Sequence, residues 1–79
     1  MKLSGRVENA QDLGRMLQQG RLLSGMTQRQ IAEQLGVSQR YVWELESGKP
    51  SLIMTRLFEM MRATGVELTA EVDDHTGDA

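Results

Sequence analysis

Two short helix-like segments joined by a glycine occupy the middle of this 79-residue chain. The stretch reads TQRQIAEQLGVSQRYVWELESGK, from Thr27 to Lys49. Each half has the apolar spacing and the cap residues of a helix of two to three turns, and isolated helices that short are unstable in water. Their stability must come from packing against the rest of the chain. The sequence therefore indicates a small helical domain built around this pair.

Cap residues mark the ends of both segments. Thr27 begins the first segment, and Gln30 follows three residues later in the spacing of a capping box. Gly36 stands where a helix ends through a left-handed residue. Ser38 caps the second segment, and Gly48 ends it. A helix, a glycine turn and a second helix form the helix-turn-helix plan, in which the second helix lies in the major groove of DNA.

A further helix is predicted on each side of this pair. Asn9 caps the first, with Asp12 in a capping-box-like position, and the fourth helix runs over about 52–64. Gly14 and Gly20 each weaken the first helix by about 1 kcal/mol relative to alanine. Close packing against another helix and simple tolerance explain these glycines equally well.

The segment VELTAEV, residues 66–72, alternates apolar and polar residues with the period of a strand. The sequence offers it no second strand, and a lone strand would leave its backbone groups unpaired. The same strand of a second copy would satisfy these groups by symmetry. We therefore predict an all-α fold, a four-helix domain plus one C-terminal β-strand that pairs across a homodimer. The residues expected in the dimer interface are Phe58, Met61, Val66, Leu68, Ala70 and Val72.

Charge is distributed unevenly although the net charge is only −2. Between residues 14 and 62, seven basic residues oppose four acidic ones, whereas the chain after residue 62 has five acidic residues and no Lys or Arg. The basic body suits DNA, although an excess of three positive charges is also found on ordinary surfaces. The predicted organisation is an N-terminal arm (1–8), a DNA-binding domain (9–65), a dimerisation strand (66–72) and a disordered acidic tail (73–79).

Composition argues against several other classes of protein. The chain has no cysteine, which excludes disulfides and thiolate metal sites. It has no run of 18 apolar residues that would span a membrane, and its first ten residues lack the apolar core of a signal peptide. The one histidine, His75, lies in a polar tail that would not hold it in catalytic or metal-binding geometry. We expect a cytoplasmic, nucleoid-associated bacterial protein that is not an enzyme and uses no cofactor or metal.

Polar residues stand where the second helix of the motif would meet base edges. Gln39 and Arg40 lie at its N-terminal end, and glutamine can form paired hydrogen bonds to adenine as arginine can to guanine. Trp43 and Glu44 follow one turn later on the same side. Outside such a motif, a solvated helix face would be the better explanation for these residues.

The segment GRLLSGMTQRQIAEQLGVSQRYVWELESGKPS resembles the Cro/C1-type (XRE) helix-turn-helix family of phage repressors and bacterial regulators. The shared features are TQ at 27–28, IA at 31–32, LGVSQ at 35–39 and LESGK at 45–49. The adjoining GKPSLIMTRLFEMMRATGVELTAEV is similar to the end of HipB-type antitoxins, in which a GKP turn leads into a last helix and a C-terminal strand. The resemblance covers about residues 9–72.

The resemblance implies roles for individual residues. It also implies a structural ion pair between Arg21 and Glu46. Gly20 departs from the bulky core residue common in the family, and Trp43 from a small one. The tryptophan would either contact DNA or fold back onto the domain, and Glu44 would either accept a hydrogen bond from cytosine or repel phosphate. The implied base-reading positions are Ser38, Gln39, Arg40, Trp43 and Glu44, and the implied phosphate contacts are Thr27, Gln28, Ser47, Lys49 and Ser51.

The resemblance also implies a function. It predicts a sequence-specific DNA-binding repressor that binds an inverted-repeat operator in double-stranded DNA as a homodimer. The HipB-like end predicts the antitoxin of a HipBA-type toxin-antitoxin operon, which represses its own operon and binds a HipA-like serine/threonine kinase toxin. One alternative is a stand-alone Cro/C1-type regulator without a toxin partner. Another is a protein-binding module that kept the fold but not the DNA contacts.

Overall fold

The computed structural model describes residues 2–73 and is mostly helical, with a two-stranded antiparallel sheet. The predicted acidic tail lies outside the described residues except for Asp73, and so does His75. In chain order the elements are β1 (Lys2–Val7), α1 (Ala10–Leu23), α2 (Gln28–Leu35), α3 (Gln39–Ser47), α4 (Leu52–Thr64) and β2 (Leu68–Asp73).

Side-chain caps fix the helix starts at the predicted positions. Asn9 Oδ1 accepts a hydrogen bond from the Asp12 backbone N–H at 2.7 Å. At the start of α2, Thr27 N–H donates to Gln30 Oε1 at 2.8 Å, and Gln30 N–H donates to Thr27 Oγ1 at 3.1 Å. Both bonds of the predicted capping box are therefore confirmed, and each satisfies a backbone N–H that the helix itself leaves unpaired.

The N-terminal segment pairs with the C-terminal strand of its own chain. β1 and β2 are antiparallel, in a register that runs from Lys2 opposite Asp73 to Val7 opposite Leu68. The expectation that strand 66–72 has no partner within the chain was therefore wrong. Residues predicted as an arm form a strand, and β2 runs over Leu68–Asp73, so it begins two residues later and ends one residue later than predicted. The alternation in β1 was inconspicuous because Gly5 occupies the centre of its apolar face.

The sheet packs one face onto α1. Residues at odd positions of β1 stand opposite residues at even positions of β2, so both sets share a face. Val7 and Val72 of this face are buried. The other face carries polar side chains. The residues of the apolar face are Leu3, Gly5, Val7, Leu68, Ala70 and Val72.

Gly14 brings α1 and α3 into close contact. A Cβ atom at this position would lie 2.6 Å from the Leu45 carbonyl oxygen and closer still to that of Glu46. At Gly20 a Cβ would meet only Val72 Cγ1, at an ordinary 3.6 Å. Close packing therefore explains the first glycine but not the second.

The described part of the chain is flat. Its Cα extents are 42 × 29 × 15 Å, and its radius of gyration is 13.8 Å, against about 12 Å for a compact chain of this length. Few apolar side chains are buried, and an apolar stripe on α4, which we call the α4 stripe, faces outward. It consists of Leu52, Ile53, Leu57 and Met60. No helix among the described residues is both long and apolar enough to cross a bilayer.

Candidate nucleic-acid interface

The α2–α3 turn is closed by backbone geometry that requires glycine. Gly36 has φ 72° and ψ 32°, a left-handed conformation that glycine adopts without steric cost. The following N–H, of Val37, donates to Ala32 O at 3.0 Å. Ser38 Oγ then accepts from Tyr41 N–H at 3.0 Å and starts α3. Ala32 and Val42 are buried between the helices, so the opposite side of α3 faces outward.

An ion pair fastens the end of α3 to α1. Arg21 Nε lies 2.6 Å from Glu46 Oε2, and Arg21 Nη2 lies 3.0 Å from Glu46 Oε1. Arg21 Nη1 also donates to Met26 O at 2.9 Å, and Gln28 Nε2 donates to Glu46 Oε1 at 3.1 Å. The hydrogen bond from Arg21 lowers the pKa of Glu46 most, and the one from Gln28 adds to it. The network ties α1, the start of α2 and the end of α3 together.

Three of the five predicted base-reading side chains lie together on one exposed surface. Gln39, Arg40 and Trp43 of α3 line a shallow depression of about 500 Å³ with Gln28 of α2. Trp43 is 54% exposed, so within the single chain it does not fold back into the interior. Ser38 is also exposed at the start of α3. We call the surface formed by Gln28, Gln39, Arg40 and Trp43 the recognition surface.

Glu44 stands between two cations at the edge of the recognition surface. Its Oε1 lies 3.1 Å from Lys49 Nζ and 3.3 Å from Arg40 Nε. The hydrogen bond from Lys49 is the main reason that the pKa of Glu44 is lowered, and Arg40 contributes less. Glu44 is therefore ionised at neutral pH. It holds Arg40 in place and offsets part of the positive charge that phosphates would meet.

The residues expected to contact phosphate are mostly exposed, and several already make hydrogen bonds within the chain. Thr27 and Ser51 are exposed, and their hydroxyl oxygens accept the capping hydrogen bonds of α2 and α4, so each O–H remains a donor. Ser47 Oγ donates to Glu44 O at 3.1 Å. The amide of Gln28 is already bonded to Glu46. Helix N-termini attract anions because their backbone N–H groups point outward.

Three residues of α1 adjoin the recognition surface and were missed from the sequence. Gln11, Arg15 and Gln18 line a second depression of about 290 Å³ together with Gln28 and Trp43. Their spacing of four and then three residues places them on one face of a helix. That spacing was a usable signal, but only the contact of α1 with α3 shows that this face adjoins the motif.

The residues predicted for dimerisation divide into three groups by exposure. Phe58 and Val72 are already buried within the single chain. Met61 and Ala70 are half-buried, whereas Val66 and Leu68 are exposed. The first two therefore contribute to the core of one copy.

Comparison with protein families agrees with this geometry. The helix-turn-helix family model matches residues 17–70, which is more than half of the chain. The chain belongs to this helix-turn-helix family. The match supports a DNA-binding transcription regulator of the Cro/C1 type, a class whose members typically have no catalytic activity. No curated protein and no solved structure matched the chain.

Proposed function

We propose that this protein is a homodimeric, sequence-specific transcriptional repressor that reads an inverted-repeat operator with α3. The observation that carries the proposal is the recognition surface, in which exposed Gln39, Arg40 and Trp43 stand together on the second helix of the motif. Bound near a promoter, such a dimer blocks access of the polymerase.

The side chains support a division of labour between base reading and positioning. Gln39 and Arg40 carry the planar donor groups that pair with adenine and guanine edges in the major groove. Lys49 and the N-terminus of α2 suit phosphate, which fixes the register of the protein on the duplex. Because Glu44 holds both Arg40 and Lys49, these cations must exchange a carboxylate for DNA. That exchange disfavours sites that offer no guanine.

Exposure supports the homodimer. The chain leaves the α4 stripe exposed, and monomeric proteins rarely expose a continuous apolar stripe. A second copy related by a two-fold axis would cover it. It would also present two α3 helices roughly 34 Å apart, one turn of DNA.

We further propose that the repressor is the antitoxin of a HipBA-type operon. It represses that operon and binds a HipA-like serine/threonine kinase toxin. The support is the GKP turn at residues 48–50, which leads into α4 and then β2, the order found at the end of HipB-type antitoxins. Localisation in the cytoplasm, at the nucleoid, follows from this role.

The DNA-binding part is tested with an operator selected from a randomised duplex library. Binding of the full chain is then measured by fluorescence anisotropy at several salt concentrations. Arg40→Ala should weaken specific binding by about 1–3 kcal/mol, the worth of a bidentate base contact, and relax the preference at one base pair. Lys49→Ala should weaken binding to all sequences alike and reduce the salt slope by about one.

Arg6→Ala is the matched control, because Arg6 lies on β1 and is paired with Glu8 and Glu67. It removes the same charge away from α3 and should leave sequence preference unchanged. Equal effects of Arg6→Ala and Arg40→Ala on base preference would contradict base reading by α3. Absence of salt-dependent DNA binding by the unaltered protein would favour a protein-binding module.

The antitoxin part is tested by affinity purification of the tagged protein from its host at native expression level. A stoichiometric kinase-like partner, identified by mass spectrometry, is the expected result. Recovery of the homodimer alone, together with binding to its own upstream DNA, would instead indicate a stand-alone regulator.

A further inference from the structure

An open apolar groove lies between the three helices of the body and β2. Its volume is about 590 Å³, and its polar lining includes Arg21, Glu46 and Glu71. Leu17, Leu35 and Leu45 are partly exposed along it. We call it the body groove. Its apolar lining comes mainly from Leu13, Leu17, Leu35, Val42, Leu45 and Ala70.

The α4 helix of the same chain does not cover this groove. Its packed side carries the buried Phe58, which lines depressions with Asn9 at the start of α1. The connection from α3 has only four residues, 48–51. Its Gly48 sits so close to α1 that a Cβ would lie 2.5 Å from Gln11 Cα. This short, packed connection directs α4 away from the groove.

The outward side of α4 carries the α4 stripe, which has no partner among the described residues. Ile53 is 78% exposed, Met60 69% and Leu57 45%. At spacings of four and three residues they form one line along the helix. Monomeric proteins rarely expose a continuous apolar stripe of this kind. One chain thus carries both the α4 stripe and the body groove, and its own fold keeps these two apolar surfaces apart.

We propose that the α4 stripe of each copy fills the body groove of the other copy in the dimer. This inference rests on the homodimer of the proposed function and specifies its interface. Because the exchange is reciprocal, it closes under two-fold symmetry and forms a dimer instead of a filament.

The exposed areas suffice for such an interface. With about 100 Å² of apolar surface for each fully exposed aliphatic side chain, the exposed fractions of the four stripe residues correspond to roughly 260 Å². An equal area of the groove, and the second contact related by symmetry, bring the total to about 1,000 Å², the size at which specific interfaces begin.

The proposed contact would connect dimerisation to DNA reading. Val42 and Leu45 of α3 face the body groove, while Gln39, Arg40 and Trp43 face the opposite way. A partner's α4 in the groove would therefore pack against the back of the recognition helix. Dimerisation would thus support the recognition surface from its buried side.

Cysteine cross-linking tests the proposal, because the native chain has no cysteine. Leu57→Cys places a thiol on the stripe, and Leu35→Cys places one in the groove. The two single variants and the double variant are oxidised under dilute conditions and sized by non-reducing electrophoresis. The expected result is a covalent dimer from the double variant and little from either single variant, since a disulfide needs Cα atoms within about 7 Å.

Cross-linking of Leu57→Cys alone would mean that the two α4 helices pack against each other, and would overturn the proposal. A double variant that gives no covalent dimer, together with an Ile53→Glu protein that dimerises as the unaltered protein does, would overturn it too. If the unaltered dimer still binds its operator in either case, the proposed function stands without this interface. A monomeric protein that binds no DNA would overturn both.

A second measurement does not depend on disulfides. Ile53→Glu should raise the dimer dissociation constant about 10- to 150-fold for each body groove that loses the isoleucine side chain. This ratio corresponds to about 1.5–3 kcal/mol. Thr55→Glu is the matched control, because it adds the same charge on another side of α4. Analytical ultracentrifugation at several concentrations measures the dimer dissociation constants of both variants, and circular dichroism reports whether each variant is folded. A folded Ile53→Glu protein with the dimer constant of Thr55→Glu would refute the exchange.

Discussion

Removing the Arg21–Glu46 ion pair should cost far more stability than removing a surface pair. The two side chains are only 12% and 6% exposed, and they share two hydrogen bonds. Arg21→Met keeps the aliphatic stem but removes the charge, which leaves the Glu46 carboxylate with Gln28 as its remaining side-chain donor within residues 2–73. An unpaired buried charge is costly because the protein replaces only part of its hydration.

The magnitude follows from burial. Breaking a fully buried pair costs about 3–5 kcal/mol, and this pair retains slight solvent contact, so we expect about 2–3 kcal/mol for Arg21→Met. A chain of this length has a total stability of about 4–12 kcal/mol. Replacing both partners, as in Arg21→Met with Glu46→Leu, leaves no lone charge. The double variant should therefore lose about 2 kcal/mol less than the sum of the single variants.

Urea unfolding followed by circular dichroism measures these free energies at a fixed protein concentration, because dimerisation adds to apparent stability. The matched control is Arg29–Glu33, a pair on α2 at 3.7 Å whose side chains are 81% and 73% exposed. Its coupling energy should be at most about 0.5 kcal/mol. If the Arg21–Glu46 cycle gave no larger coupling than the Arg29–Glu33 cycle, the reasoning from burial would be refuted.

Other consequences of the structure are as readily measured. Folding lowers the pKa of Glu46, so its contribution to stability is complete above the ordinary glutamate pKa of about 4.5 and is lost as the pH falls through the lower pKa of the folded state. The free energy of unfolding, measured from pH 7 to pH 3, should show this loss. Glu46→Gln should abolish this pH dependence. Gly14→Ala should destabilise the fold by about 1–3 kcal/mol through overpacking, whereas Gly20→Ala should stabilise it by up to about 1 kcal/mol through helix propensity; thermal unfolding that ranks them the other way would contradict the contact at Gly14. Glu44→Gln should strengthen binding to unrelated DNA more than binding to the operator, because it frees Arg40 and Lys49 from the carboxylate. Competition anisotropy measures both affinities, and an equal gain for the two, or a larger gain for the operator, would contradict this role of Glu44. Trp43 is the one tryptophan, so operator binding should quench or shift its emission, and an unchanged spectrum on saturation would show that it stays away from the DNA.

Local signals were sufficient to predict the helices from the sequence. Thr27 with Gln30, and Gly36 in its left-handed conformation, act over three or four residues. Such contacts join residues that are close together in the sequence, so residue type and spacing predict them. The recognition residues Gln39 and Arg40 were equally accessible, because a helix start fixes which side chains follow it.

The sheet was not accessible in the same way. Leu3 pairs with Val72 and Gly5 with Ala70, across almost the whole chain. No spacing rule connects positions that far apart, and Gly5 interrupts the apolar alternation that would have marked β1. A single strand could be predicted, but its partner could not. The prediction of an unpaired strand failed for that reason.

The sheet also changes what must hold a dimer together. The unpaired backbone of β2 predicts a dimer from the sequence alone. In the structure β1 pairs with one edge of β2, so strand pairing is a weaker reason for a second copy. The α4 stripe and the body groove are a stronger one, because their unburied apolar surface persists however the strands pair. Exposed Ile53 and Met60 cost free energy in the monomer that only a partner surface can recover. Since the groove backs α3, a variant that loses the dimer should lose operator binding even with Gln39 and Arg40 intact.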